Sequence, residues 1–261
     1  MMLRLARCLF VALATMAMSA AAIAAASGDN FSDNSQSNQW SLIEDDHAAL
    51  WLSETNQRLE VRAAGGGAST NDALYLSSGA GGFKLSTASD LAASIDYRFA
   101  YSAGAGDSGT LAIVFGIGRD LAGTDSAAIG YSRSTNFLLD YAVGVAYRVG
   151  GVQTNVPMGW DVVTSGTFTL NYTAATDRLT FGNGTFSTNL DGLVQGQWHA
   201  DTVWLSFGGR GSGLTAGSGD AYLDNFSVTG DIIAAPEPAT FALLAFGGLG
   251  LVSRRRKQHA R

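Results

Sequence analysis

The sequence predicts an all-β fold in which two sheets pack as a sandwich or jelly roll. Three observations predict it. Apolar residues recur with a period of two through most of the chain, and clusters of Gly, Asn, Asp and Ser interrupt the runs at short intervals. Between residues 27 and 235 no long segment carries apolar residues at i, i+3, i+4 and i+7. Ten or more short strands without helices bury their apolar faces only by laying one sheet on another.

The runs follow in chain order. Ile95, Tyr97, Phe99 and Tyr101 alternate with Ser94, Asp96, Arg98 and Ala100. Residues 111–117 are apolar on both faces apart from Gly116, as in a central strand. Phe137, Leu139, Tyr141, Val143, Val145 and Tyr147 form one face of a longer run. Gly144 inside that run predicts a bulge or a close backbone approach. Phe168, Leu170 and Tyr172 make a further strand, and Val203, Leu205 and Phe207 another. Turn signals stand at 65–72, 104–108, 123–126, 182–184 and 208–219. They account for much of the glycine content, 33 of 261 residues, because turn positions with positive φ favour Gly.

Both ends read as targeting segments. Arg4 and Arg7 precede an apolar stretch at 8–18, and small residues follow with the A-x-A spacing of a cleavage site, so residues 1–26 are expected to be a signal peptide. At the other end Pro236-Glu237-Pro238 precedes an apolar run at 239–252 and the cluster Arg254-Arg255-Arg256-Lys257. As a helix that run covers about 21 Å, short of the roughly 30 Å hydrocarbon core. The basic cluster would hold its end at the cytoplasmic face.

This second segment resembles the PEP-CTERM sorting signal of Gram-negative bacteria. The resemblance covers 236–261. It implies recognition by exosortase, a membrane transpeptidase-like enzyme, with Pro236, Glu237 and Pro238 as recognised residues and Arg254, Arg255 and Arg256 as the stop-transfer cluster. It further implies passage through the inner membrane and delivery to the cell surface or extracellular matrix. The expected organisation is a signal helix at 1–26, an ectodomain at 27–231, a linker at 232–235 and the sorting signal with its short transmembrane helix at 236–261.

Removing the ends changes the electrostatics. Residues 27–235 hold nine Lys and Arg against 21 Asp and Glu, a net charge of −12, and no cysteine. An acidic surface excludes a nucleic-acid partner, and the missing cysteines exclude a disulfide framework or a thiolate metal centre. Stability must come from a core.

Within the ectodomain, Phe31-Ser32-Asp33, Trp40-Ser41-Leu42-Ile43-Glu44 and Asn56-Gln57-Arg58-Leu59-Glu60-Val61 open the chain. Leu170-Asn171-Tyr172, Val203-Trp204-Leu205-Ser206-Phe207 and Tyr222-Leu223-Asp224-Asn225-Phe226-Ser227-Val228 close it. This order resembles the concanavalin A-like, laminin-G-like jelly roll over roughly residues 30–230. The resemblance implies that first and last strands pair and bring the ends together. That family hosts lectins, glycosidases and inert adhesion modules, so the fold does not settle function.

Chemistry is sparse. A glycosidase needs two carboxylates across the scissile bond. The Glu-x-Asp-x-x-Glu strand motif of the glucanase branch is absent. Glu54 and Glu60 share a parity, but the Glu-Thr-Asn-Gln stretch between them reads as a turn and separates them. No catalytic residue is expected. Glu44-Asp45-Asp46-His47 reads either as a metal or acid–base site or as a solvated turn, and its position between two strands favours the turn. Asp224 shares a parity with Tyr222, Phe226 and Val228, a face expected to be buried. A carboxylate there needs donors or a cation. If the ends pair, Asp29 and Asp33 could join it around a structural Ca²⁺. The alternative is that Asp224 accepts backbone N–H bonds.

Carbohydrate binding needs exposed aromatics with polar neighbours. Trp160 and Trp198 follow loop-like stretches and are the candidates, with Asn155, Asp161 and His199 beside them. The competing reading places both tryptophans in the core. Trp40, Trp51 and Trp204 sit in strands and are expected to be core. The expectation is an exported, non-catalytic structural or adhesive module associated with extracellular polysaccharide. A lectin-like module is the alternative and a degenerate glycoside hydrolase the second.

Overall fold

Side-chain alternation dictates the architecture. The computed structural model describes residues 28–44, 50–63, 72–78, 81–99, 110–134, 141–161, 164–212 and 221–234. The segment at 1–26 expected to be a signal peptide, the sorting signal with Pro236, Glu237, Pro238, Arg254, Arg255 and Arg256, and the cluster residues Asp45, Asp46 and His47 lie outside the described residues.

Among the described residues seventeen strands form two antiparallel sheets. They are β1 (Gly28–Asp29), β2 (Ser41–Glu44), β3 (Leu50–Thr55), β4 (Arg58–Ala63), β5 (Asp72–Leu76) and β6 (Phe83–Ser86). Then come β7 (Leu91–Phe99), β8 (Thr110–Gly118), β9 (Ser126–Ser134), β10 (Tyr141–Val149), β11 (Val152–Asp161) and β12 (Ser165–Thr173). The last are β13 (Arg178–Gly182), β14 (Ser187–Asp191), β15 (Thr202–Ser212), β16 (Ala221–Thr229) and β17 (Ile232–Ala234). The eight-stranded sheet runs β14-β13-β12-β7-β16-β4-β3, with β1 added on β16. The nine-stranded sheet runs β11-β10-β9-β8-β15-β5-β2, with β6 paired to β15 and β17 to β6. The expected sandwich is present, and β8, apolar on both faces, is an interior strand between β9 and β15. Residues 232–234 do not act as a linker. They pair with 83–85 as β17, so the folded unit continues through Ala234.

One apolar core fills the space between the sheets. Ile95, Tyr97, Phe99, Phe168, Leu170 and Tyr172 enter from one sheet, and Ile113, Phe115, Ile129, Tyr131, Val143 and Phe207 from the other. Tyr97 stacks on Phe168 with ring centroids 4.3 Å apart and tilts against Tyr131 at 5.4 Å. At the other end Trp40 meets Phe207 at 4.6 Å, Phe226 at 5.0 Å and Phe83 at 5.9 Å. Its indole N–H donates to Asp29 Oδ2 at 2.7 Å. The same carboxylate accepts the Phe31 backbone N–H at 2.9 Å and Gln39 Nε2 at 3.1 Å. Hydrogen bonds to a charged acceptor are worth about 1.5–3 kcal/mol each. Strand β1, which carries Asp29, pairs with β16, so the first and last parts of the domain meet as the jelly-roll resemblance implies.

Glycine acts by size at two positions. The β10–β11 ladder shifts register between Val143 and Gly144, which is the expected bulge, and a Cβ on Gly144 would stand 3.1 Å from the Val156 carbonyl oxygen. A Cβ on Gly116 would stand 2.5 Å from the Ala127 carbonyl oxygen. Both positions keep the outer face of the nine-stranded sheet low.

The β3–β4 hairpin turns through Asn56 and Gln57, with φ of 56° and 60°. Two left-handed central residues make the turn whose twist suits a hairpin. Asn tolerates that conformation and Gln does not. The Gln57 backbone N–H, which donates to Asn34 Oδ1 at 2.7 Å, survives any substitution but Pro. Gln57→Gly is expected to stabilise the protein by about 0.5–1 kcal/mol and raise Tm by about 1–4 °C in thermal unfolding followed by circular dichroism. An unchanged or lower Tm contradicts the strain.

Candidate functional site

The two faces of a strand are chemically separate, so the search for a site is a search of the outer faces and the loops. Pairing across the nine-stranded sheet aligns its outward residues in rows. Trp204, Gly118, Ser126, Arg148 and Gln153 make one row. Ser206, Gly116, Ala128, Ala146 and Asn155 make the next. Gly208, Val114, Gly130, Gly144 and Pro157 follow, and then Arg210, Ala112, Ser132, Ala142 and Trp160. Successive rows lie about 7 Å apart along the strands.

The middle rows carry Gly, Ala and Ser almost throughout, and the first carries long side chains. The result is a recess of about 250 Å³. Its floor includes Ala128, Ala146, Ser206 and Val114. Its walls are Trp204, Arg148 and Gln153 on one side and Ile43, Leu74 and Arg210 on the other. The 120–123 loop forms a rim, with Leu121 exposed. Lys84, on β6, places Nζ 4.5 Å from the centroid of the Trp204 ring. Arg148 donates from Nη2 and Nε to Gln153 Oε1 at 3.0 and 3.2 Å. Among the described residues the only carboxylate lining the recess is Asp120, and its oxygens accept the Thr124 and Asp125 backbone N–H groups at 3.0 and 3.1 Å.

The expected sugar-binding residues divide. Trp160 is 56% exposed and lies on this same outer face, at the edge strand, opposite Ala142. Asn155 shares the face and accepts from Gln153 Nε2 at 2.9 Å. Asp161 pairs with Tyr141 at the end of β11. Trp198 is a correction: it is fully buried and its indole N–H donates to the Arg148 carbonyl at 2.9 Å. The cause is Asp177, whose carboxylate accepts the backbone N–H groups of Val194, Gln195 and Gly196 at 2.8–3.2 Å. These bonds wrap the π-type turn Leu193–Gln197 and drive the next side chain inward. His199 is exposed beside Ser86, Thr87 and Asp201, outside the recess. Trp204, expected in the core, stands instead on the recess wall, because Val203 and Leu205 take the inward positions. Trp40 is buried as expected, just ahead of β2.

The three carboxylates expected around Ca²⁺ do not converge. Among the described residues no group of three His, Cys, Asp or Glu side chains is placed to hold a metal ion. Asp29 turns inward to Trp40, and Asp33 accepts the Ser35 N–H at 3.0 Å. Asp224 faces outward because β16 bulges between Asp224 and Ser227, with Asn225 at φ 49°, which reverses the parity before Phe226. Partial burial, followed by the neighbouring Asp96 charge, raises its pKa, while the Asn225 N–H and Arg58 oppose the shift. Across the ladder Asp96 is itself held by Thr167 Oγ1 at 2.6 Å and Asn225 Nδ2 at 3.0 Å.

Glu54 and Glu60 are separated, as the turn between them requires. Glu54 pairs with the core residue Leu59 and faces inward, whereas Glu60 pairs with Ser53 and faces outward. Burial opposes ionisation of Glu60, but hydrogen bonds from Asn56, Arg62 and Arg58 outweigh it and hold the carboxyl below its usual range. Glu54 is 6% exposed, and neither carboxyl oxygen meets hydrogen-bond geometry. Burial, reinforced by Asp29 and Asp33, pushes its pKa to about 7 against a weaker pull from the Tyr75 hydroxyl and the Ser35 N–H.

The family model described as the PEP-CTERM protein-sorting motif matches residues 234–257. No curated protein matches the sequence. Among solved structures, the CBM2 module of the evolved Dit of Lactobacillus casei BL23 phage J-1 aligns with a TM-score of 0.53 at 9% identity, over 78% of this chain and 93% of that one. The carbohydrate recognition domain of Emp46p aligns at 0.52 and 10%, over 78% and 96%. A family 16 glycoside hydrolase from a Bacteroides ovatus mixed-linkage glucan locus aligns at 0.50 and 10%, over 77% and 99%. The chain thus carries a PEP-CTERM sorting motif and a concanavalin A-like β-sandwich. The motif marks it for export and surface sorting in a Gram-negative bacterium and implies exosortase as the processing partner. At such identities the structural likeness establishes the fold alone.

A raised pKa means that the folded state holds the Glu54 proton more tightly than the unfolded chain, where the group titrates near 4.5. The stability it contributes is therefore full below about pH 4.5 and lost as pH rises through about 7. Glu54→Gln keeps the neutral shape at every pH. Its Tm is expected to match the parent near pH 4 and exceed it at pH 8. Parallel pH profiles contradict the burial of an uncompensated acid.

Proposed function

We propose that this chain is an exported, non-catalytic surface or matrix module that associates with extracellular polysaccharide through the outer face of the nine-stranded sheet. One observation carries the reading: the recess joins a low floor of small side chains to walls of Trp204, Arg148, Gln153 and Arg210, and its single lining carboxylate is taken up by its own loop. Sugars bind by stacking on aromatic faces and by hydrogen bonds from fixed polar groups, and such a recess supplies both. Hydrolysis needs a second carboxyl group about 5–10 Å from the first, both able to exchange protons. Asp120 has no such partner lining the recess. That two neighbours are described as a carbohydrate-binding module and a carbohydrate recognition domain supports binding as the role of this fold here. The module serves as an adhesive component of the matrix, with lectin-like selectivity as the second reading.

Affinity electrophoresis through gels containing matrix polysaccharide tests the binding. The full chain in detergent is expected to be retarded without releasing reducing ends, and Trp204→Ala to lose about tenfold in affinity. Release of reducing ends overturns the non-catalytic reading, and unretarded migration in every polysaccharide overturns the binding.

The sorting segment makes a separate expectation. Replacing Pro236, Glu237 and Pro238 together by Ala is expected to leave the chain unprocessed in the inner-membrane fraction. An epitope placed after Arg261 then remains attached in immunoblots. Normal processing of that variant contradicts recognition through these three residues.

A further inference from the structure

Cations are scarce in this domain, nine against 21 acidic residues between 27 and 235, so where they stand is informative. On the outer face of the eight-stranded sheet three of the four described cations are neutralised, the exposed Arg98 being the exception. Arg58 and Arg62 both contact Glu60, and Arg178 contacts Asp191 at 2.7 Å. Beside the recess rim, Arg119 contacts Asp125 at 3.1 Å.

The row that holds the Trp204 wall of the recess differs. Arg148 is held by the neutral amide of Gln153, and Lys84 by the neutral ring of Trp204. Both lie in one row, because Val203 pairs with Leu85 and so sets Trp204 beside Lys84, with Gly118, Ser126 and Arg148 following across the sheet. The Gly and Ser between them leave the row low. Arg148 is fixed from below, since its own carbonyl receives the Trp198 indole N–H and the next turn is tied by the Gly150 N–H to Asp125 Oδ1 at 2.8 Å. An ordered guanidinium without a carboxylate partner, in the same row as an ammonium that stands behind Trp204 at the edge of the recess, matches a planar anion by its forked N–H groups.

We infer that the ligand of this recess is an anionic glycan, a polyuronate whose sugar carboxylates lie along the Lys84–Trp204–Arg148 row. The inference rests on the glycan-binding reading above and narrows it to one chemical class. Trp204 supplies the apolar surface for a sugar ring, and Arg148 and Lys84 supply the charge.

The test is retention of the full chain in detergent on a panel of immobilised polyuronates, each paired with its carboxyl-reduced, neutral form, together with neutral polysaccharides. The expected result is retention on at least one polyuronate, at least about tenfold weaker binding to its reduced form, and a comparable loss for Arg148→Gln and Lys84→Gln. The two variants keep side-chain bulk, and unchanged thermal unfolding separates loss of charge from loss of fold. Equal or stronger retention on the reduced forms or on neutral polymers overturns the anionic class while leaving glycan binding in place. Retention on none of the panel overturns both.

Discussion

One carboxylate holds the two ends of this domain together. The sandwich has no disulfide to close it, and the indole of Trp40 bridges its sheets, touching Phe83 and Phe207 on one side and Phe226 on the other. A buried indole N–H must be satisfied, and Asp29 on the first strand satisfies it. Asp29 is itself fixed by the pairing of β1 with β16, so the interaction that completes the core also ties the first strand to one of the last. Strand β15 gains its place from the same cluster through Phe207. Once Phe207 points inward, Trp204, Ser206 and Arg210 point outward, and the recess exists.

Much of this was legible from period-two alternation. It locates the runs that become β7, β8, β10, β12 and β15, and it marks Gly144 as an irregularity. It fails where parity reverses without a glycine to announce the change. Asn225 in the left-handed region turns Asp224 outward, and the residue type was the only local cue, since Asn tolerates that conformation better than most. The β3–β4 turn is the case where the cue sufficed, because a hairpin through Asn56 and Gln57 puts Glu54 and Glu60 on opposite faces. Trp198 could not be placed locally, as the carboxylate that wraps its turn sits at Asp177, well upstream. The rows across the nine-stranded sheet were hidden for a stronger reason. Trp204 and Arg148 fall in one row only because β15 pairs with β8, β8 with β9 and β9 with β10, and no period in the chain encodes that order.

The charge distribution repeats the division between faces. Arg58, Arg62 and Arg178 on the eight-stranded side sit against carboxylates on their own or a paired strand, and the exposed Arg178–Asp191 pair is worth little and mainly keeps the surface soluble. Among the described residues the recess is poor in carboxylates, and its floor of small side chains lies open beside Arg148.

That arrangement has a consequence for selectivity. The domain is strongly acidic, so a polyanion is repelled at a distance, and the repulsion fades beyond roughly 8 Å at physiological ionic strength. Attraction from Arg148 on the recess wall, and from Lys84 behind Trp204, acts only within contact range. A polyanion that fits the floor gains those contacts, and one that does not fit meets only the acidic surface. Shape therefore decides which anion is held, and the net charge removes the rest. In a matrix crowded with charged polymers, a basic surface would bind all of them, whereas a few cations set in an acidic domain bind by fit.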